Sequence, residues 1–144
     1  MEDDEELRKI RRKKLQELMK RTSETGKGAF LKQKVSIVNK PVDVNDATFT
    51  EFILNNSVVV IDCWASWCAP CRMVAPIIDE MAREYVGRIV FGKLNVDENR
   101  SVANHYQVLS IPTLLVFKKG KLIDRIVGAM PREMLEPRIT HYLP

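Results

Sequence analysis

Cysteine is scarce in this sequence of 144 residues, and its three cysteines lie within one short window. Cys63, Cys68 and Cys71 are too close together to join distant parts of a chain, which excludes a secreted fold held by a framework of disulfides. In a reducing compartment, closely spaced cysteines are more often catalytic or metal-binding than structural. The sequence therefore favours chemistry at these residues.

Long hydrophobic runs are also absent. No apolar run approaches the roughly 20 residues that a membrane-spanning helix needs. The residues that follow Met1 are acidic and no apolar stretch comes after them, whereas a secretory signal opens with basic residues and then turns apolar. We therefore expect a cytoplasmic protein with no membrane partner.

The positive charge is unevenly distributed. Residues 1–34 hold eleven of the 23 Lys and Arg and seven of the 19 Asp and Glu, which accounts for the whole net charge of +4. The rest of the chain is electrically balanced, so we do not expect a nucleic-acid partner.

The same division indicates the domain organisation. A chain of this length can form one domain with an appendage. Residues 3–21 contain no Gly or Pro and predict a helix, while residues 22–34 are polar with two glycines and predict a linker. We therefore expect a basic helical extension and linker at 1–34 and a single domain at 35–144.

Strand and helix patterns alternate in this second region. Residues 58–64 form a nearly continuous β-branched and apolar run, typical of a central strand covered on both faces. Further strands are predicted at 42–44, 89–96, 113–117 and 122–127, and helices at 49–54, 68–85, 98–106 and 131–143. This order predicts an α/β fold in which helices flank a central mixed β-sheet of about five strands.

Cys68 and Cys71 stand at a predicted strand-to-helix junction. The free backbone N–H groups and the dipole of a first helical turn favour a thiolate, so Cys68 is the predicted nucleophile. Cys71, one turn further in, can attack a mixed disulfide formed at Cys68, and we expect it to be the more sheltered of the two. Such chemistry needs no bound metal or organic cofactor.

A zinc site is the alternative, because a Cys-x-x-Cys pair is also half of a zinc cluster. A structural zinc needs four ligands. The other candidates, Cys63, His105 and His141, form no second closely spaced pair. We therefore favour redox chemistry and predict no metal site.

Five segments stand out in the second region: DCWASWCAPC from Asp62 to Cys71, Ala75-Pro76, KLNVD from Lys93 to Asp97, Ile111-Pro112-Thr113 and Val127-Gly128-Ala129. In their order and spacing, residues from about 42 to 143 resemble thioredoxins over nearly the whole domain. The resemblance implies the thioredoxin fold and a monomeric protein-disulfide reductase that contributes to cytoplasmic redox homeostasis. It also implies protein disulfide substrates and a thioredoxin reductase, or an equivalent donor, that restores the dithiol.

Two further catalytic residues follow from the resemblance. Asp62 lies in an otherwise apolar strand, where burial of an isolated carboxylate is unfavourable and raises its pKa. In thioredoxins the matching aspartate helps to move the proton of the buried cysteine, which implies a general acid/base role for Asp62 toward Cys71. Lys93 occupies the position of the lysine beside that carboxylate.

A substrate platform is implied as well. Ile111-Pro112 resembles the family's cis-proline loop, which faces the cysteine pair and offers backbone groups to an extended substrate segment. An apolar docking surface around Cys68 is then expected. Its members are Trp67, Ala69, Pro70, Ile111, Val127 and Gly128, with Pro112 in the loop.

Three features depart from the family's common pattern. Ala69 replaces the usual glycine before the proline, and we expect a slight effect on the redox potential. Cys63 stands where an aromatic residue is frequent and is most simply a small core residue. Residues 1–34 have no counterpart in minimal thioredoxins, and a solvated tail or loosely docked helix is the simplest interpretation.

Two other functions compete with disulfide reduction. A disulfide oxidase or isomerase would have a pair of higher potential, but Pro70 and the missing export signal argue against it. The second competing function is that of a non-catalytic adaptor that works through the basic extension. The retention of both cysteines together with Asp62 argues against an adaptor.

Overall fold

The computed structural model describes residues 8–14 and 38–144. The chain divides into two units between Ile37 and Val38. Residues 8–14 are helical, within the helix predicted for 3–21. The rest of that helix and the predicted linker lie outside the described residues. None of the helices in the described ranges is long and apolar enough to cross a membrane.

The second unit is built around a five-stranded mixed sheet. The strands are β1 (Val42–Asp43), β2 (Val58–Trp64), β3 (Val90–Asn95), β4 (Thr113–Lys118) and β5 (Lys121–Val127), in the spatial order β1-β3-β2-β4-β5. β3 pairs in parallel with β1 and β2, while β4 runs antiparallel to β2 and β5. The helices are α1 (Phe49–Asn55), α2 (Ala69–Glu84), α3 (Arg100–His105) and α4 (Arg132–Thr140). The predicted α/β fold with a sheet of about five strands is confirmed.

β2 is the central strand, and its two faces lie in different cores. Val58 and Val60 pack in the cluster that contains residues of α2 and α4. Val59 and Ile61 pack in the cluster that contains residues of α1 and α3. Because side chains alternate along a strand, Asp62 lies on the α2 face and Cys63 on the other. The burial on both faces explains the nearly unbroken apolar sequence of this strand.

α2 begins directly after β2 and carries the cysteine pair at its start. Cys68 is the N-cap residue. The apolar residues of α2 form one buried face, which comprises Cys71, Val74, Ile78, Met81 and Ala82. Pro76 lies within the helix and does not end it. Packing of the buried face against the sheet fixes the helix N-terminus at the carboxyl end of β2.

Candidate active site

Cys68 and Cys71 form a disulfide, with their Cα atoms 5.3 Å apart. As the N-cap of α2, Cys68 has an extended backbone, and its sulfur accepts a hydrogen bond from the backbone N–H of Cys71 at 3.2 Å. A donor and a helix N-terminus directed at this sulfur stabilise negative charge on it in the reduced protein. The geometry suits thiol–disulfide exchange with Cys68 as the attacking thiolate.

The expectation that Cys71 is the more sheltered cysteine is wrong for the disulfide form. Cys68 is 3% exposed and Cys71 is 4% exposed. Cys68 is covered because Ala65, Trp64 and Ile111 pack around the pair. The distinction between the two thiols therefore comes from the N-cap position of Cys68 and not from its exposure.

Asp62 is buried, as predicted, with 1% of its surface exposed. Neither carboxylate oxygen accepts a hydrogen bond from the described residues. Burial raises the pKa of Asp62 to about 6, the nearby charge of Lys93 opposes this shift, and Asp79 adds a smaller increase. The predicted increase in pKa is confirmed, and desolvation is its main cause.

A cleft of about 140 Å³ joins Asp62 to Cys71. Its lining comprises Asp62, Trp64, Ala65, Ser66, Cys71, Arg72, Ala75 and Lys93. The cleft is several times larger than the roughly 30 Å³ that one water molecule occupies in the liquid. The carboxyl of Asp62 and the second cysteine thus border one space in which a proton can be relayed.

Lys93 lies beside Asp62 across two paired strands. Asp62 of β2 is the direct partner of Lys93 in β3, so both side chains lie on the same face of the sheet. The Lys93 Nζ lies 5.1 Å from the centroid of the Trp64 ring, within the range of a cation–π contact. The Trp64 ring and the Asp62 carboxyl together hold the Lys93 ammonium group at the cleft.

The peptide bond between Ile111 and Pro112 is cis, which confirms the sequence prediction. Ile111 packs against the cysteine pair. Pro112 itself is buried, and its carbonyl accepts a hydrogen bond from the Gly128 N–H at 2.9 Å. Gly128 has a φ of +96°, a region open to glycine at little energetic cost. The loop is therefore joined to the end of β5 beside the disulfide.

The predicted docking residues range from exposed to half-buried. Trp67 is 67% exposed and Val127 is 50% exposed. Ala69 and Pro70 are exposed, whereas Ile111 and Gly128 are half-buried. Exposed aromatic and aliphatic groups next to a reactive pair provide a surface for an apolar partner segment.

Asp97 is a site residue that the sequence analysis did not identify. Its Oδ2 accepts a hydrogen bond from the Trp67 indole N–H at 2.8 Å. The bond fixes the ring of a largely exposed tryptophan. Asp97 belongs to the KLNVD segment, but it comes 30 positions after Trp67 in the sequence, and nothing in the sequence indicates that the two residues meet.

Comparisons with known proteins agree with this geometry. A family model described as Thioredoxin matches residues 40–141. The chain is 47% identical over 107 residues to thioredoxin M-type, chloroplastic, of Spinacia oleracea, covering 74% of this chain and 59% of that protein. It is 48% identical over 101 residues to thioredoxin 1 of Nostoc sp., covering 69% of this chain and 94% of the relative.

A solved structure shares the fold as well. A mutant thioredoxin from Halobacterium salinarum superposes with a TM-score of 0.70 at 28% identity, covering 76% of this chain and 96% of that one. The residues matched by the family model include the disulfide, the buried carboxyl and the cis-proline loop. The chain therefore belongs to the thioredoxin family of thiol–disulfide oxidoreductases.

Proposed function

We propose that this chain is a protein-disulfide reductase in which Cys68 attacks and Cys71 resolves. The observation that supports it best is the Cys71 N–H directed at the Cys68 sulfur at the start of α2. Attack by the Cys68 thiolate forms a bond to one substrate sulfur and releases the other as a thiolate. Attack by Cys71 on the Cys68 sulfur then releases the second substrate thiol and closes the Cys68–Cys71 disulfide.

Asp62 acts as the general base in the second step. Cys71 must lose its proton before it can attack, and Asp62 borders the same cleft. A carboxyl whose pKa is about 6 is mostly ionised at neutral pH and is still basic enough to accept a proton. Lys93 supports this role, because its charge opposes the full increase in pKa that burial alone would cause.

The substrate segment docks on the apolar surface around the disulfide. The side chains of Trp67, Ala69, Pro70, Ile111 and Val127 provide contacts, with Pro112 and Gly128 shaping the loop. Trp67 supports this role, because its hydrogen bond to Asp97 holds a large apolar ring in place before a substrate arrives.

Membership of the thioredoxin family implies protein disulfides as substrates and a reductase as the electron donor. We assign the donor as a thioredoxin reductase or an equivalent, and the protein as a monomer in a reducing compartment such as the cytoplasm. The buried free thiol of Cys63 supports that compartment. Equal numbers of acidic and basic residues in 35–144 support the absence of a nucleic-acid partner.

The equilibrium redox potential of the pair tests the reductase function. We expect a value close to the roughly −270 mV that is characteristic of thioredoxins. The measurement equilibrates the protein with glutathione buffers and counts free thiols by mass after alkylation. The Ala69→Gly variant, which carries the family's usual glycine before Pro70, is measured in the same way to give the effect of Ala69 on the potential. A potential tens of millivolts or more above the glutathione poise would assign the chain to the oxidases instead.

We further propose that residues 1–34 are a separate extension and that 35–144 form the catalytic domain. The division of the chain near residue 37 and the start of the family match at residue 40 support this boundary. Deleting residues 1–34 should leave the rate of reduction of a generic protein disulfide nearly unchanged. A large loss of rate would make the extension part of the catalytic machinery.

A further inference from the structure

Leu109 is a large apolar side chain that the reaction described above does not use. It is 94% exposed, the highest value among the large hydrophobic side chains of the described residues. Its neighbour Val108 packs against the core cluster on the α1 side of the sheet, while Ser110 is exposed. The loop therefore directs one apolar side chain inward and presents the next one to solvent.

The backbone around Leu109 is held by several hydrogen bonds. Val108 N–H donates to the Ala103 carbonyl at 2.9 Å. On the other side, the Thr113 hydroxyl donates to the Ser110 carbonyl at 2.6 Å.

Arg125 of β5 holds the start of the same loop. Its guanidinium donates to the carbonyl of Gln107 at 3.0 Å and to that of Tyr106. Gln107 adopts a φ of +52°, which non-glycine residues rarely do, so the loop bends sharply at that point. Because the loop is fixed at both ends, presenting Leu109 to a partner requires little further ordering.

Leu109 also lies close in sequence to a residue that contacts the cysteine pair. Ile111, two residues later, packs against Cys68 and Cys71. Successive Cα atoms are about 3.8 Å apart, so the Leu109 Cα is within roughly 7 Å of that of Ile111. This distance is about the length of two extended residues, so Leu109 is within reach of a side chain two or three residues from the cysteine of a substrate segment seated on the cis-proline loop.

We propose that Leu109 is a specificity-determining contact, which packs against an apolar side chain two or three residues from the cysteine of the substrate. The inference rests on the proposed disulfide reductase function and adds a preference among its substrates. Covering a few tens of Å² of apolar surface favours a leucine over a charged residue at that substrate position by roughly fivefold in rate.

Pairs of disulfide-linked peptides test this preference. Each substrate is a pair of identical Gly/Ser peptides joined through their single cysteines. A Leu, Lys or Glu is placed two or three residues before or after the cysteine. Pre-reduced full-length protein is mixed with each peptide, and the thiols released in a single turnover are alkylated and quantified. The electrons come from the Cys68–Cys71 dithiol, so no reductase is needed. Rate ratios within one variant are compared, which cancels differences in the fraction of active protein.

The expected result is a reversal of preference on substitution. Wild type reduces the Leu peptide roughly fivefold faster than the Lys peptide at the best placement. Leu109→Glu should favour the Lys peptide, and Leu109→Lys should favour the Glu peptide, each by a few-fold at low salt, because opposite charges then meet at the surface.

Met134→Glu is the matched control. Met134 is 57% exposed and lies in α4 near Arg132, which pairs with Glu84 at the far end of α2 from the disulfide. This variant should keep the wild-type ratio. An unchanged ratio in Leu109→Glu, or an equal change in Met134→Glu, would overturn the proposal. Failure of wild type to reduce any peptide would instead contradict the reductase function.

Discussion

Replacing Cys68 with serine should abolish disulfide reduction, whereas replacing Cys71 with serine should yield a protein that captures its substrates as mixed disulfides. Serine at 68 removes the sulfur at the N-cap of α2, so the attack that forms the covalent intermediate is lost. Serine at 71 preserves the attack but removes the thiol that releases the adduct. Protein masses after incubation with a disulfide substrate, measured without reductant, distinguish the two outcomes.

Cys63→Ala provides the control for this experiment. Cys63 is the free cysteine of the described residues and is fully buried. Burial, with a smaller contribution from Asp62, raises the pKa of the Cys63 thiol to about 12, so it supplies almost no thiolate at neutral pH. Its removal should leave turnover intact. Equal residual activity in the Cys68 and Cys71 variants would contradict the roles assigned to them.

The second large effect concerns the stability of the disulfide form at different pH values. Asp62 has a pKa of about 6 in the folded protein, against 3.8 for an exposed aspartate. The folded state therefore retains a proton at pH values where the unfolded state has lost it. The free energy of unfolding should decrease as the pH rises from about 4 to about 6 and then level off, with a total change on the order of 3 kcal/mol.

Asp62→Asn should remove most of this decrease and leave the protein more stable than wild type at pH 8. Urea unfolding of the oxidised protein at several pH values measures the change. Asp43→Asn, which alters an exposed carboxylate on β1, is the matched control and should keep the wild-type profile. The same profile in Asp62→Asn and wild type would contradict the assignment of the raised pKa to this residue.

The same substitution should slow the resolving step, because the amide that replaces the carboxylate cannot accept the Cys71 proton. A gain in stability with a loss of activity is the signature of a carboxyl that is buried for its chemistry. Substitution of a buried carboxyl without such a function would increase stability and leave the activity unchanged.

The sequence predicted the elements whose apolar pattern is continuous. β2 and α2 follow directly from their runs of apolar residues, and so does the burial of Asp62 between them. The predicted positions of the helix ends were less accurate. α3 begins at Arg100 instead of 98, because the Asn95 side chain accepts hydrogen bonds from the N–H groups of Asp97 and Glu98 and holds these residues in a turn.

Contacts between distant segments could not be predicted from local pattern. The equal burial of the two cysteines depends on Ile111, which comes from a loop 40 residues further along. Arg125 reaches the carbonyls of Tyr106 and Gln107 from a different strand, and no periodicity in either segment indicates the contact. Such details are set by tertiary packing, which a spacing of residue types does not encode.

The alternation of side chains in β2 has a consequence for how the strand is aligned during folding. A slip of one residue against β3 and β4 would turn the Cys63 thiol toward the disulfide and insert the Asp62 carboxyl among Phe49, Leu115 and Phe117. That apolar cluster is a far less favourable place for a carboxyl than a cleft lined by Lys93. The carboxyl therefore selects the one alignment that keeps a competing third thiol away from the exchange reaction.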